Sequence, residues 1–149
     1  MVRLEVIEMD VPIDESLELL KAYAGVSDDG QDAVLMMALR RALSEVQRAA
    51  DVALLSGVYR VCAEDHTRTL NLYMGGKATK ASDGKGGAVS FHQRGRSVYV
   101  STDGYVEVEF TTEVNEAEYE RLLPVVMRYA TGIYDGLSTR ELNAILREC

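Results

Sequence analysis

The sequence predicts an α+β fold, in which a mainly helical body carries an inserted antiparallel β-meander. Apolar residues recur at helical spacing towards both ends of the chain, whereas the middle alternates with a period of about two. The chain has 149 residues and a net charge of −8, with 47% hydrophobic residues. This length favours a single domain, 1–149, and the composition excludes collagen-like, wholly disordered and disulfide-rich proteins.

The N-terminal part is predicted to hold an edge strand and two helices. Residues 3–9 alternate in part, which fits an edge strand or an extended arm. Helical spacing over 14–24 indicates a short helix, and Gly25 suits the left-handed position that ends one. A second, amphipathic helix reaching about residue 55 is predicted to be the longest element. Its apolar face comprises Val34, Leu35, Ala38, Leu39, Ala42, Leu43, Val46, Ala49 and Ala53, and its polar side Arg40, Arg41, Glu45, Gln47 and Arg48.

The middle part, 58–111, is predicted to be the β insertion. Its β-branched and aromatic runs indicate strands, and short turns with glycine give the last three the spacing of a meander. The stretch 75–87 has five glycines, three lysines and no large apolar residue, so we predict a mobile loop. The predicted strands cover 58–62, 67–74, 88–93, 97–101 and 105–111. The tyrosines assigned to packing are Tyr59, Tyr73, Tyr99, Tyr129 and Tyr134.

The C-terminal part predicts two more helices. Pro124 suits the first turn of a third major helix, preceded by a helical turn over 116–122. Gly136 is predicted to end that helix. Ser138 and Glu141 form a capping-box pattern that starts a short final helix. The helical segments 14–55 and 116–148 are predicted to pack together.

The sequence predicts a protein that is not an enzyme, with no catalytic, cofactor-binding or metal-binding residues. The glycine-rich stretch fails the P-loop pattern, and Cys62 and Cys149 lack a CxxC spacing, which predicts two reduced thiols. A hydrolase or transferase using His66 or His92 is a weaker alternative, because no nucleophile motif accompanies them. The chain also lacks a long apolar stretch at its start or elsewhere, which predicts an intracellular protein with no membrane partner.

A charge asymmetry predicts an interaction surface. The segment from Lys77 to Arg96 has five cations and one anion, so it carries +4 and the rest of the chain −12. Such a basic projection can meet a phosphate backbone or the acidic flank of a neighbouring subunit, and the alternative is a solvated loop. No recognition helix is indicated, so any DNA contact would be to the backbone. The candidate interaction residues are Lys77, Lys80, Lys85, Arg94 and Arg96.

Two stretches resemble a known protein family. Residues 20–35, LKAYAGVSDDGQDAVL, combine a Lys-containing helix end, an acidic loop and the start of a long Ala-rich helix. Residues 106–111, VEVEFT, and 123–134, LPVVMRYATGIY, are similar to a closing strand, a helix-opening proline and an Ala-x-x-x-x-Tyr helix. The chain thereby resembles the phage head–tail connector (adaptor, head-completion) proteins, which are also described as phage DNA-packaging proteins.

The resemblance implies assembly rather than catalysis. It implies a homo-oligomeric ring, typically a dodecamer, beneath the portal, which joins the DNA-filled head to the tail of a tailed phage or prophage. The implied partners are the portal protein, a tail-completion protein and further copies of the chain. The resemblance implies that the protein is located in the host cytoplasm during assembly and then at the head–tail junction of the virion. An accessory DNA-packaging or DNA-backbone-binding protein without catalytic activity stays open as the alternative.

Overall fold

The computed structural model describes residues 2–9 and 13–149 and confirms the predicted α+β class. The chain divides into a helical unit and a β unit, the latter formed by the first strand and Leu55–Val114. The single domain 1–149 stays a prediction. No described helix is long and apolar enough to cross a membrane. The helices are α1 (Ile13–Ala24), α2 (Asp32–Ala50), α3 (Glu116–Tyr134) and α4 (Thr139–Leu146). The strands are β1 (Val2–Met9), β2 (Gly57–Ala63), β3 (Thr69–Asn71), β4 (Lys77–Ser82), β5 (Phe91–Arg94), β6 (Ser97–Val100) and β7 (Val106–Thr112).

In the helical unit, α2 and α3 pack against each other, α1 contacts both and α4 contacts α3. The predicted apolar stripe of α2 is buried from Leu35 to Val46, but Val34 and Ala49, predicted on the same face, are exposed. The helix ends at Ala50 and not near residue 55, because Asp51 adopts the left-handed conformation with φ 53°.

Gln47 was predicted on the polar side of α2, and this is wrong, because its side chain is buried. Its Oε1 accepts a hydrogen bond from the backbone amide of Leu54 at 3.0 Å. That bond satisfies a buried amide beyond the helix end, which explains why a polar side chain lies inside.

The helix ends follow local signals. Gly25 and Gly136 have φ angles of 72° and 77°, in the left-handed region that glycine adopts without strain. Ser138 caps α4 by accepting a hydrogen bond from the amide of Glu141 at 3.2 Å, as the capping-box pattern predicted. These three predictions are confirmed.

Pro124 does not open α3, contrary to the prediction. The helix begins at Glu116, capped by Asn115, whose side chain accepts a hydrogen bond from the amide of Glu118 at 3.2 Å. Pro124 therefore lies inside the helix, where it lacks an amide donor. Pro124 lies on the exposed side of the helix, and Val125 on the other side is buried. The packing of that buried side stabilises the helix at the proline. At 19 residues α3 equals α2, so α2 is not the single longest element.

The β unit contains two antiparallel sheets, ordered β1-β2-β7-β4 and β3-β6-β5. The edge position of β1 and the β5–β6 hairpin agree with the sequence analysis. β7 leaves the hairpin and pairs with β2 and β4 in the other sheet. Alternate residues of β7 are buried, and the Phe110 ring stacks on Tyr59 with centroids 5.5 Å apart. The strands of the predicted meander are thus shared between two sheets.

The stretch 75–87, predicted to be a mobile loop, forms strand β4 and a closed turn. β4 pairs with β7, which supplies backbone hydrogen bonds that composition does not reveal. After the strand, Asp83 Oδ1 accepts hydrogen bonds from the amides of Lys85 and Gly87 at 2.7 and 2.9 Å. A Cβ atom at Gly76 would collide with the Phe110 ring, so glycine permits the close approach to β7.

A buried lysine joins α1 to the start of α2. Lys21 is 6% exposed, and its Nζ lies 2.7 Å from Asp29 Oδ1 and 2.6 Å from Asp32 Oδ1. The hydrogen bond from Lys21 lowers the pKa of Asp29, and the two carboxylates raise the pKa of Lys21. The connection between the helices is therefore fixed by ion pairs, within the stretch that carries the family resemblance.

We expect Lys21→Met to be less stable than the wild type at neutral pH and to lose less stability in acid. The pKa of Asp29 in the folded state lies below its unfolded value of about 3.9. Its contribution is therefore present above pH ~4 and is lost as the pH falls through the lower folded pKa. Urea midpoints measured from pH 7 to pH 2 test this, with Arg140→Met, an exposed substitution on α4, as the control. A variant whose midpoint follows the wild type at every pH would contradict it.

Candidate interaction site

The five cations predicted as interaction residues lie in the β unit and are all exposed. Lys77 and Lys80 belong to β4, and Lys85 lies in the turn that Asp83 closes. Arg94 and Arg96 flank Gly95 in the turn of the β5–β6 hairpin.

The Gln93 side chain ties the hairpin to β4. Its Oε1 accepts a hydrogen bond from the Ala78 amide at 2.8 Å, and its Nε2 donates to the Gly76 carbonyl at 2.8 Å. Ala78 and Gly76 are the two neighbours of Lys77, so the structure places Lys77 beside the hairpin. Nε2 also donates to the Gly95 carbonyl at 2.9 Å. Sequence reasoning missed Gln93, because a side chain bonded to distant backbone leaves no periodic signal.

The predicted cations differ in their partners. The Nζ of Lys80 lies 3.6 Å from Glu109 Oε2, a carboxylate on the neighbouring strand. Among the side chains that the structure describes, Lys77, Lys85 and Arg94 have no ion-pair partner. These three side chains can therefore meet an external anion without first breaking an internal pair.

Lys80 is the last member of a row of alternating charges across the four-stranded sheet. Glu5, Arg60, Glu109 and Lys80 stand directly opposite one another on β1, β2, β7 and β4. Arg60 lies 3.5 Å from Glu5 and 3.9 Å from Glu109. Opposite charges in register stabilise a sheet by about 0.2–1 kcal/mol per pair, so the row has a structural role.

His66 links two turns of the β unit. Its Nδ1 accepts a hydrogen bond from the Arg68 amide at 3.0 Å, so its Nε2 carries the proton donated to the Gly104 carbonyl at 2.7 Å. Arg68 pairs with both carboxylate oxygens of Asp103, at 2.6 and 2.8 Å, and this hydrogen bonding lowers the pKa of Asp103. The imidazole is thus held in a structural network.

His92 stacks on Tyr99 with ring centroids 4.8 Å apart. Tyr99 and Tyr73 are each 38% exposed, which departs from their assignment to packing.

Both cysteines are free thiols, with Cys62 buried. Cys62 lies beside Arg3 and Tyr105, and the Tyr105 hydroxyl donates a hydrogen bond to Glu107 Oε1 at 2.8 Å. Among the described residues, no group of three or more His, Cys, Asp or Glu side chains could hold a metal ion.

Comparison with solved structures gives clear matches, whereas no protein-family profile and no curated protein matches the sequence. One match is a chain from the neck of an empty gene transfer agent particle computed with C6 symmetry. It has a TM-score of 0.63 and 21% identity and covers 91% of this chain and 84% of that one. The protein shares a fold with chains of gene transfer agent particles.

Two further structures agree with the first. A chain from the virion of the native gene transfer agent particle has a TM-score of 0.62 and 17% identity, covering 97% of this chain and 93% of that one. A chain from the neck of the native particle, computed with C12 symmetry, has a TM-score of 0.59 and 19% identity, covering 99% and 93%. All three matches are likenesses of fold, with identities of 17–21%.

We expect Gln93→Ala to destabilise the β unit by about 1–2 kcal/mol, because the Ala78 amide and the Gly76 carbonyl lose their partner. Hydrogen exchange should accelerate at the β4 amides and in the hairpin turn. His92→Ala is the matched control, since it removes a ring from the same strand and leaves these bonds in place. Unchanged exchange of the Ala78 amide in Gln93→Ala would show that the side chain does not hold the hairpin to β4.

Proposed function

We propose that this protein is a structural subunit of the neck of a phage or phage-like particle. The observation that carries the proposal is the fold shared, over at least 91% of the chain, with chains from gene transfer agent necks. In this role, copies of the chain form a ring under the portal and join the DNA-filled head to the tail.

The proposed assembly is a homo-oligomeric ring of twelve copies. The symmetries of the matching neck structures, C6 and C12, support a cyclic arrangement. A closed ring requires that one face of each subunit meets a different face of the next. The proposed partners beyond the ring are the portal protein on the head side and a tail-completion protein on the other. Assembly would take place in the host cytoplasm before the ring lies at the head–tail junction.

The proposed role depends on surfaces and needs no catalytic step. His66 and Arg68 form part of a hydrogen-bonded network that joins two turns. Lys77 on β4, Arg94 on β5 and Lys85 in the turn after β4, by contrast, are exposed. We propose that these cations contact the portal, a neighbouring subunit or the DNA in the channel, with Lys80 and Arg96 beside them.

We expect Lys77→Glu/Lys85→Glu to bind DNA-filled, portal-bearing capsids without tails at least about tenfold more weakly than the wild type, because the reversal places like charges at the contact. The matched control is Arg140→Glu/Arg147→Glu, which makes the same charge change at exposed positions on and after α4. Binding is measured by co-sedimentation with capsids.

The results of this experiment test the neck role and the cationic interaction site separately. If the wild type does not bind these capsids, the neck proposal fails. If the wild type, the Lys77→Glu/Lys85→Glu variant and the control all bind equally, the neck proposal stands and the cationic site is wrong.

A DNA-backbone-binding accessory protein is the second candidate, and the unpaired state of Lys77, Lys85 and Arg94 within the described residues favours it. Each phosphate contact would steepen the dependence of log affinity on log salt concentration by about 0.9. Fluorescence anisotropy with a labelled 30-mer duplex tests this. If the protein acts only through protein contacts, its net charge of −8 should repel DNA, and we expect little binding to the duplex even at low salt. Tight, steeply salt-dependent binding that Lys77→Glu/Lys85→Glu weakens would favour the second candidate.

A further inference from the structure

The outward face of α2 combines exposed apolar and cationic side chains. Met37 is 73% exposed and Val34 50% exposed, although the opposite stripe of the same helix is buried. Arg40, Arg41 and Arg48 are exposed as well. With 3.6 residues per turn, these five positions lie on one side of the helix.

This face carries three cations, and the partly exposed Glu45, one turn after Arg41, is the acidic residue at its border. Within α2, which is described throughout, none of the exposed residues is acidic. In the described part of the chain, Arg40, Arg41 and Arg48 form no ion pair. An exposed methionine among three unpaired arginines is typical of an interface, where methionine and arginine are enriched.

The first half of α3 offers the complementary surface. Glu116 and Glu120 are exposed on successive turns, and they too form no ion pair among the described residues. Ala117 and Pro124 lie exposed beside them and provide small apolar surface. Arg121, exposed one turn after Ala117, is paired with Glu118, so the charges that this face offers to a partner are those of Glu116 and Glu120, opposite to the arginines of α2.

We infer that the outward face of α2 docks onto the exposed first half of α3 in the next copy of the chain. α2 contacts α3 of its own chain while its outward face is turned to solvent, so this pairing forms between copies. Met37 and Val34 would pack on Ala117 and Pro124, with the arginines reaching the two glutamates.

The two faces differ, so the contact is heterologous and can repeat from subunit to subunit. The inference rests on the proposed ring and names the surfaces that build it. Charge complementarity identifies the occupant as another copy of the chain, because each copy carries both faces.

Charge-swap variants test the contact by sedimentation velocity at low salt over a wide range of protein concentration. Arg40→Glu/Arg41→Glu and Glu116→Arg/Glu120→Arg should each raise the concentration needed for assembly by about tenfold or more, because like charges then face each other. The variant that carries all four substitutions should recover assembly, since its faces are again complementary. Arg140→Glu/Arg147→Glu serves as the control for altered net charge, and circular dichroism reports whether each variant keeps its helices.

Recovery in the four-substitution variant supports the inference, because a loss of folding would not be rescued by further substitutions. Assembly that neither single swap affects, or a wild type that stays monomeric throughout, overturns it. Capsid co-sedimentation distinguishes this failure from a failure of the neck proposal. If the protein binds capsids and the charge swaps leave its assembly unchanged, only the α2–α3 contact is refuted. If it assembles through this contact but never binds capsids, only the neck role is refuted.

Discussion

β7 forms backbone hydrogen bonds along both of its edges, to β2 on one side and to β4 on the other. This double pairing orders the glycine- and lysine-rich segment that follows β3. With β4 in place, Gln93 bonds to the backbone on both sides of Lys77 and fixes the hairpin that presents Arg94. The positions of the candidate interaction residues thus depend on the pairing of β4 with β7.

The helical unit depends on a different interaction. Lys21 contacts Asp29 and Asp32, which lie in the stretch that resembles connector proteins. These ion pairs join α1 to α2, so this part of the resemblance has a structural explanation. The solved structures that share this fold match 91–99% of the chain at 17–21% identity.

Each unit presents a cationic surface on a chain of net charge −8. In the β unit this surface comprises Lys77 and Arg94, next to the hydrogen bonds of Gln93, and in the helical unit it is the outward face of α2. Two separate positive surfaces suit a subunit that meets more than one partner, as the proposed neck role requires. Charged contacts of this kind guide orientation and partner choice more than they add affinity.

The sequence by itself determined the four helices and the ends marked by Gly25, Gly136 and the Ser138 cap, because these signals depend on residues within one or two turns, but it misplaced the end of α2 and the start of α3. Composition also located the candidate cations. Only the tertiary structure decided that 75–87 contains a strand, that Gln47 is buried, and that Lys80 forms an ion pair while Lys77 forms none with the described side chains. The physical reason is that these outcomes depend on partners far away in sequence, Glu109 and the β7 backbone among them, whose position no local pattern encodes.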